Sequence, residues 1–291
     1  MDRFLSILIA VVLAAIVGLG GYAWWQQRNP GPPGMGLALP QAPVPEPPAS
    51  SATTTAEPAI QYPIDSAGAA GAGALPALAN SDTYLEEAIR TLMPRHDMLR
   101  FVQLDGFARR VVATVDNLAR PHAAPLLWPV NPTSGRFTTT ETGAASTTIS
   151  AKNSPRYTPL VHLIESLDTA KTVALYVRAY PLFQQAYEEL GYPRRYFNDR
   201  LVAVIDHLLA TPTRPEPLAV KLTEVKGPIE TTRPWVRYEF SDPALELLSS
   251  GQKMLLRTGP DNQARLKIKL IEFRRQLTGA ALAQPASAPK P

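Results

Sequence analysis

The chain opens on an uninterrupted apolar run. Residues 4–25, FLSILIAVVLAAIVGLGGYAWW, contain no charged side chain. As a helix they would extend roughly 33 Å at 1.5 Å per residue, enough for the hydrocarbon layer of a bilayer. Tyr22, Trp24 and Trp25 close the run, where aromatic rings favour the headgroup level. A cleaved signal peptide would have a shorter apolar core followed by small residues. Here Gln26, Gln27 and Arg28 follow two tryptophans, so residues 1–28 are expected to be an uncleaved anchor. Arg3 and the amino terminus flank one end, and no Lys or Arg lies between Arg28 and Arg90. The positive-inside rule then puts the N-terminus in the cytoplasm and the rest across the membrane, which in a Gram-negative cell is the periplasm. The expected layout is a single-pass inner-membrane protein.

Beyond the anchor the apolar pattern dissolves. Residues 29–79 hold 11 Pro, 13 Ala and 6 Gly, too little apolar surface to offset ordering entropy, and are expected to be a disordered tether. Residues 279–291, ending AALAQPASAPKP, are expected to be a disordered tail.

Residues 80–278 carry the regular patterns and are expected to form one mainly helical domain with a small β-hairpin. Ser81 or Asp82 would cap a helix through about Met93, stopped by Pro94. Leu99, Val102, Phe107, Val111, Val115 and Leu118 then recur at helical spacing, predicting one helix over 97–119. After a long Pro-, Ser- and Thr-rich excursion, in which RFTTTE and STTIS would pair as a short hairpin, helices resume over 157–167 and 169–190. Pro181 lies inside the second and predicts a kink or break. Gly191 with Tyr192-Pro193 stops it, and a helix over 196–209 follows, ended by Pro212. The period then becomes two. Leu218, Val220 and Leu222 alternate with polar or small residues, as do Val236, Tyr238 and Phe240, predicting two paired strands. Asp242 caps a further helix with Pro243 at its first position, Gly259-Pro260 breaks it, and a last helix spans about 261–277.

Composition narrows the chemistry. There is no cysteine, which excludes disulfides, thiol nucleophiles and Cys-ligated metals. The four histidines lack the i, i+4 spacing of a helical metal pair, and no cofactor motif is present. The folded part carries 26 Lys+Arg against 21 Asp+Glu, a balance of +5 that does not point to nucleic acid. Ser250-x-x-Lys253 with Arg257-Thr258-Gly259 imitates penicillin-recognising enzymes, but these elements are too close on one helix to enclose a carbonyl.

Three constellations remain. Tyr176, Tyr180, Phe183 and Tyr187 recur at 4, 3 and 4. With Trp128, Tyr157, Tyr192 and Tyr196 they would line a groove for a peptide or glycan, unless they pack in the core. The last helix carries Arg265, Lys267, Lys269, Arg274 and Arg275, either a solvated face or one that lies on anionic polymer or lipid. Finally, FARRVVATVDNL (107–118) and FNDRLVAVIDHL (197–208) share six of twelve positions at an offset of 90, placing Asp116 and Asp206 in matching positions. Each carboxylate would either accept bonds from arginines and amides or serve as a general acid or base.

The segments VVATVDNLA (111–119), PRYTPLV (155–161), PLFQQAYEELGYP (181–193), RLVAVIDHLL (200–209) and SDPALELLSSGQKMLLRTGP (241–260) resemble a proteobacterial domain-of-unknown-function family, numbered 3014. The likeness covers about residues 75–278, and the anchor and Pro/Ala tether fit the family's usual plan. The resemblance implies no activity, cofactor or catalytic residue. The expected function is a periplasmic binding or scaffolding module for envelope proteins or peptidoglycan, held in the bilayer through residues 4–25. The alternatives are a hydrolase using carboxylates such as Asp116, Asp168 or Asp206, and a small-molecule sensor or carrier.

Overall fold

The computed structural model describes residues 59–64, 74–142, 146–215, 217–223 and 233–282. The expected anchor at residues 4–25 lies outside them. No helix among the described residues is long and apolar enough to cross a membrane.

Nine α-helices and one four-stranded sheet stand among the described residues. They are α1 (Asp82–Arg90), α2 (Arg95–Phe101), α3 (Phe107–Leu118), β1 (Thr139–Thr142), β2 (Ser146–Ile149), α4 (Ser154–Ser166), α5 (Thr169–Glu189), α6 (Phe197–Leu209), β3 (Ala219–Leu222), β4 (Tyr238–Phe240), α7 (Pro243–Glu246), α8 (Ser250–Arg257) and α9 (Pro260–Leu282). The fold is mainly helical, as expected. The main core lies between α1, α3, α5 and the start of α6, where Leu85, Ala108, Val112, Ala179, Leu182, Phe183, Ala186, Tyr187 and Phe197 are buried together. Helix α9 closes a second cluster with Val173, Val202, Ile205 and Leu277.

Several boundaries depart from the sequence reading. The helix expected over 97–119 is two helices. Val102 turns extended and pairs with Val130, and Gly106 takes a left-handed φ of 61° that an L side chain adopts only at a cost. Asp82 does not cap its own helix. Its carboxylate instead accepts from the N–H groups of Gly106 (2.8 Å) and Phe107 (3.2 Å), capping α3 across the fold. Pro181 breaks nothing: α5 runs through it. A mid-helix proline costs about 3 kcal/mol, and the buried Ala179, Tyr180, Leu182 and Phe183 on either side outweigh that.

The two expected hairpins are one antiparallel sheet in the order β1-β2-β3-β4, because Thr147 and Thr148 also pair with Val220 and Ala219. Its buried face packs Ile149, Val220 and Phe240 on Leu245 and Leu256 of α7 and α8. Val236 lies outside β4 in a 3-10 turn and is exposed. Asp242 does cap α7, accepting from Ala244 N at 2.8 Å. That helix is short, and α8 starts afresh from a Ser249–Gln252 capping box. Helix α9 extends past the expected tail boundary to Leu282.

The largest difference concerns the tether. Of the residues assigned to it, 59–64 and 74–79 are described, and both stretches meet the domain. Ile64 and Leu78 are buried in the main core, and Leu75 packs against it. The pooled Pro/Ala/Gly composition concealed a local sequence, AIQYPI at 59–64, with enough apolar side chains to dock.

Candidate functional site

The aromatic row expected at a surface groove is inside the protein. Tyr180, Phe183 and Tyr187 are 2–6 % exposed, and Tyr176 is partly buried against the same core. They turn inward because α5 needs that face to meet α3 and α6. Tyr176 packs edge-on to Tyr180 at 5.7 Å and tilted on Phe183 at 5.5 Å, while Tyr187 stacks on Tyr192 at 4.6 Å. Desolvation raises the Tyr176, Tyr180 and Tyr187 hydroxyls above their ordinary value. Nearby tyrosines add to this at Tyr176 and Tyr180, and Asp116 adds to it at Tyr187. These residues form the wall behind a site rather than the site itself.

Two carboxylates matched by the internal similarity are both engaged by arginines, in different surroundings. Asp116 is almost fully buried. Its Oδ2 accepts from Arg120 and from the Tyr192 hydroxyl (3.2 Å), and its Oδ1 accepts from Arg200 Nε (3.1 Å). Arg200 also donates to the Asp116 carbonyl at 2.9 Å. The Asp116 charge raises the Arg120 guanidinium above its ordinary value. Asp206 is half exposed and paired with Arg274 of α9. Asp168 caps α5, accepting from Lys171 N at 3.0 Å, and this backbone bond holds its carboxyl low. The three carboxylates, of which two would have to approach each other for hydrolysis, thus serve three separate structural tasks.

The serine–lysine imitation is likewise taken apart. Ser250 Oγ donates to the Asn117 carbonyl (2.9 Å), while Lys253 Nζ pairs with Glu246 at 2.7 Å. One contact escaped sequence reasoning: His207 Nε2 lies 2.9 Å from Ser249 Oγ. Ser249 is buried and accepts from Gln252 N within its capping box, which holds its oxygen at the helix start. Several basic residues of α9 have partners within the chain. Arg265 pairs with Glu165 at 3.2 Å, Lys267 donates to the Thr211 carbonyl, and Lys269 donates to the Leu167 carbonyl at 2.7 Å.

What the structure does assemble is a cleft at the start of α6, occupied by residues 59–64. Asp199, in the first turn of α6, accepts from the N–H of Gln61 (3.0 Å) and of Tyr62 (2.8 Å). Asn198 Nδ2 donates to the Tyr62 carbonyl at 2.9 Å. The Tyr196 hydroxyl lies 2.6 Å from Ile64 N as acceptor and 3.4 Å from Ile64 O as donor. The cleft residues are themselves fixed: Tyr176 OH donates to Asn198 Oδ1 (3.2 Å), and Tyr180 stacks tilted on Tyr196 at 5.1 Å. The Tyr62 ring packs beside Val173, Val202, Phe273 and Leu277, and Ile64 enters the main core. The Asp199 carboxylate at a helix N-terminus is favoured by the helix dipole. The sequence marks Tyr196 only as an aromatic and carries no signal for Asn198 or Asp199. No local pattern marks a side chain that bonds to main chain over 130 residues away.

Among the described residues, no group of three or more His, Cys, Asp or Glu side chains could hold a metal ion. The family model described as Protein of unknown function (DUF3014) matches residues 107–274. No curated protein and no solved structure matches the chain.

Proposed function

The chain belongs to the DUF3014 family, and we propose that it acts as a tethered binding module of the bacterial envelope. In this reading the apolar run at residues 4–25 stays in the inner membrane, and the Pro/Ala-rich tract lets the domain search the space beyond it. The observation that carries the binding part is the occupied cleft: the start of α6 and the residue before it present Tyr196, Asn198 and Asp199 to a bent segment and bond its main chain on both N–H and C=O sides. Side chains arranged in this way are a recognition surface for polypeptide. The arginine partners of Asp116 and Asp206 and the capping duty of Asp168 weigh against the hydrolase alternative.

Two measurements test this reading. Alkaline extraction of membranes should leave the full chain in the pellet, and a C-terminal reporter active only outside the cytoplasm should give signal. A chain released by extraction, or a reporter active only in the cytosol, would refute the tether. Purified full chain in detergent should retain a reproducible set of envelope proteins or peptidoglycan fragments. Retention equal to that of a heat-unfolded control would refute the binding role.

A further inference from the structure

The contacts of residues 59–64 have an unusual division of labour. Every hydrogen bond from Tyr196, Asn198 and Asp199 to this stretch goes to its main chain: N–H of residues 61, 62 and 64, and C=O of residues 62 and 64. Such bonds are available to any peptide that takes the same bend at the positions of Gln61 and Tyr62. Selectivity comes from two side chains only. The Tyr62 ring lies between α5, α6 and α9, and Ile64 is 9 % exposed in the main core. Pro63 between them fixes φ and disfavours helix at Tyr62, so an aromatic–Pro–aliphatic triplet arrives nearly pre-shaped.

The receiving side is built in advance. Asn198 is fully buried, and its amide oxygen is bonded by Tyr176 rather than by the occupant. Its N–H is held by the Tyr180 hydroxyl (3.4 Å). Phe197 N donates to Gln184 Oε1 at 2.9 Å, which locks the start of α6 to α5. Asn198 and the start of α6 thus keep their positions through bonds that do not involve the occupant.

We propose that this cleft is a peptide-docking site for a bent segment of a partner protein carrying an aromatic–Pro–aliphatic triplet, and that residues 59–64 hold it in cis as an intramolecular competitor. The proposal names the site of the binding module and rests on that reading. A misplaced anchor would show in membrane extraction and would leave the measurement below unchanged. A cis occupant behaves as a ligand at an effective concentration in the millimolar range. A partner segment must therefore exceed that competition or approach while the strap is open.

The probe is a fluorescent synthetic peptide of residues 56–66, AEPAIQYPIDS, titrated into full chain in detergent and read by anisotropy. The parent should bind it weakly. Tyr62→Gly with Ile64→Asp, which ejects the strap, should bind it at least tenfold more tightly, and adding Asp199→Ala should abolish that gain. Peptides with Ala for Tyr or Ile should lose binding, while replacement of Gln by Ser should not. An ejected-strap variant with intact helical signal that fails to bind up to millimolar peptide would overturn the proposal. If that variant does not fold, amide exchange in the parent decides. Excess peptide must accelerate exchange at residues 61, 62 and 64, and unchanged rates overturn the proposal equally. A dimer that forms with rising protein concentration and protects these amides in trans would replace the partner by a second copy and refute this assignment.

Discussion

Replacing Asp116 separates a structural carboxylate from a catalytic one. In the parent, its two oxygens accept from Arg120, Arg200 and Tyr192, and its own carbonyl accepts a second bond from Arg200. Asp116→Ala removes the charge partner that Arg120 and Arg200 share. Stripping one partner from a fully buried pair costs about 3–5 kcal/mol, and an exposed pair is worth about 0–1 kcal/mol. Here the carboxylate is buried, but the arginine side chains are 50 % and 29 % exposed and recover part of their hydration. The expected loss is therefore about 2–3 kcal/mol, with Asp116→Asn losing roughly 1–2 kcal/mol because one acceptor oxygen remains. Urea unfolding of the full chain, followed by circular dichroism, gives the number from the midpoint at unchanged slope. A catalytic carboxylate held in an unfavourable setting would behave in the opposite way, since its removal commonly leaves stability equal or higher. An Asp116→Ala chain within about 0.5 kcal/mol of the parent would refute the structural assignment and reopen the hydrolase alternative.

Three further outcomes are expected. Gly251→Ala should destabilise by about 1–2 kcal/mol in thermal or urea unfolding, although alanine is the better helix former, because overpacking outweighs propensity. A Cβ there would meet Leu208 Cδ2 at 2.7 Å and the Leu118 carbonyl at 2.9 Å, and the latter is main chain that cannot swing aside. Arg274→Ala should cost only about 0.2–1 kcal/mol, since its Asp206 partner is half exposed. A loss near that of Asp116→Ala would refute the distinction drawn between the two carboxylates. Alkaline pH should unfold the chain through its tyrosines. Burial raises Tyr176 and Tyr180 above the ordinary value of 10.0, so the unfolded state releases those protons first. Stability is then intact below pH 10 and falls as pH rises above it. A tyrosinate absorbance titration should show these hydroxyls ionising only with loss of helical signal.

The sequence made local punctuation legible. The Asp242-Pro243 start of α7, the stop at Gly191, the β1–β2 hairpin and the alternation that buries Leu218 and Val220 are all visible in runs of a few residues. Signals that depend on distant partners were not visible. Asp82 reads as a cap for α1, and only the approach of Gly106 turns it to α3. The 97–119 pattern keeps helical spacing across Val102–Gly106, because residues facing one core preserve an apolar rhythm even when the backbone between them is extended. The aromatic row on α5 has the same spacing whether it lines a groove or fills a core, and the partner helices decide. Residues 59–64 were hidden by averaging. A composition window over 29–79 is dominated by Pro, Ala and Gly, while docking needs only Tyr62, Ile64 and three side chains at and just before the start of α6.

The internal similarity shows why positional matching does not transfer a role. Helices α3 and α6 begin at Phe107 and Phe197, both packed in the same core, so the apolar half of the match describes a shared task. The polar half does not. Arg200 reaches Asp116, whereas its counterpart Arg110 donates to the carbonyls of Asp105 and Leu126. Asp199 receives the strap, whereas its counterpart Arg109 pairs with Glu189. The N-termini of the two helices are served differently as well: Asp82 caps α3 from α1, and Gln184 meets Phe197 from α5. Only α6 therefore has, at its third residue, a carboxylate left over for an incoming main chain. A symmetric platform would have offered two such clefts. The substitution of Arg109 by Asp at the matching position of α6 is what makes the cleft single, and an Asp199→Arg chain, which restores the match, is expected to lose amide protection at residues 61 and 62 while keeping its helices.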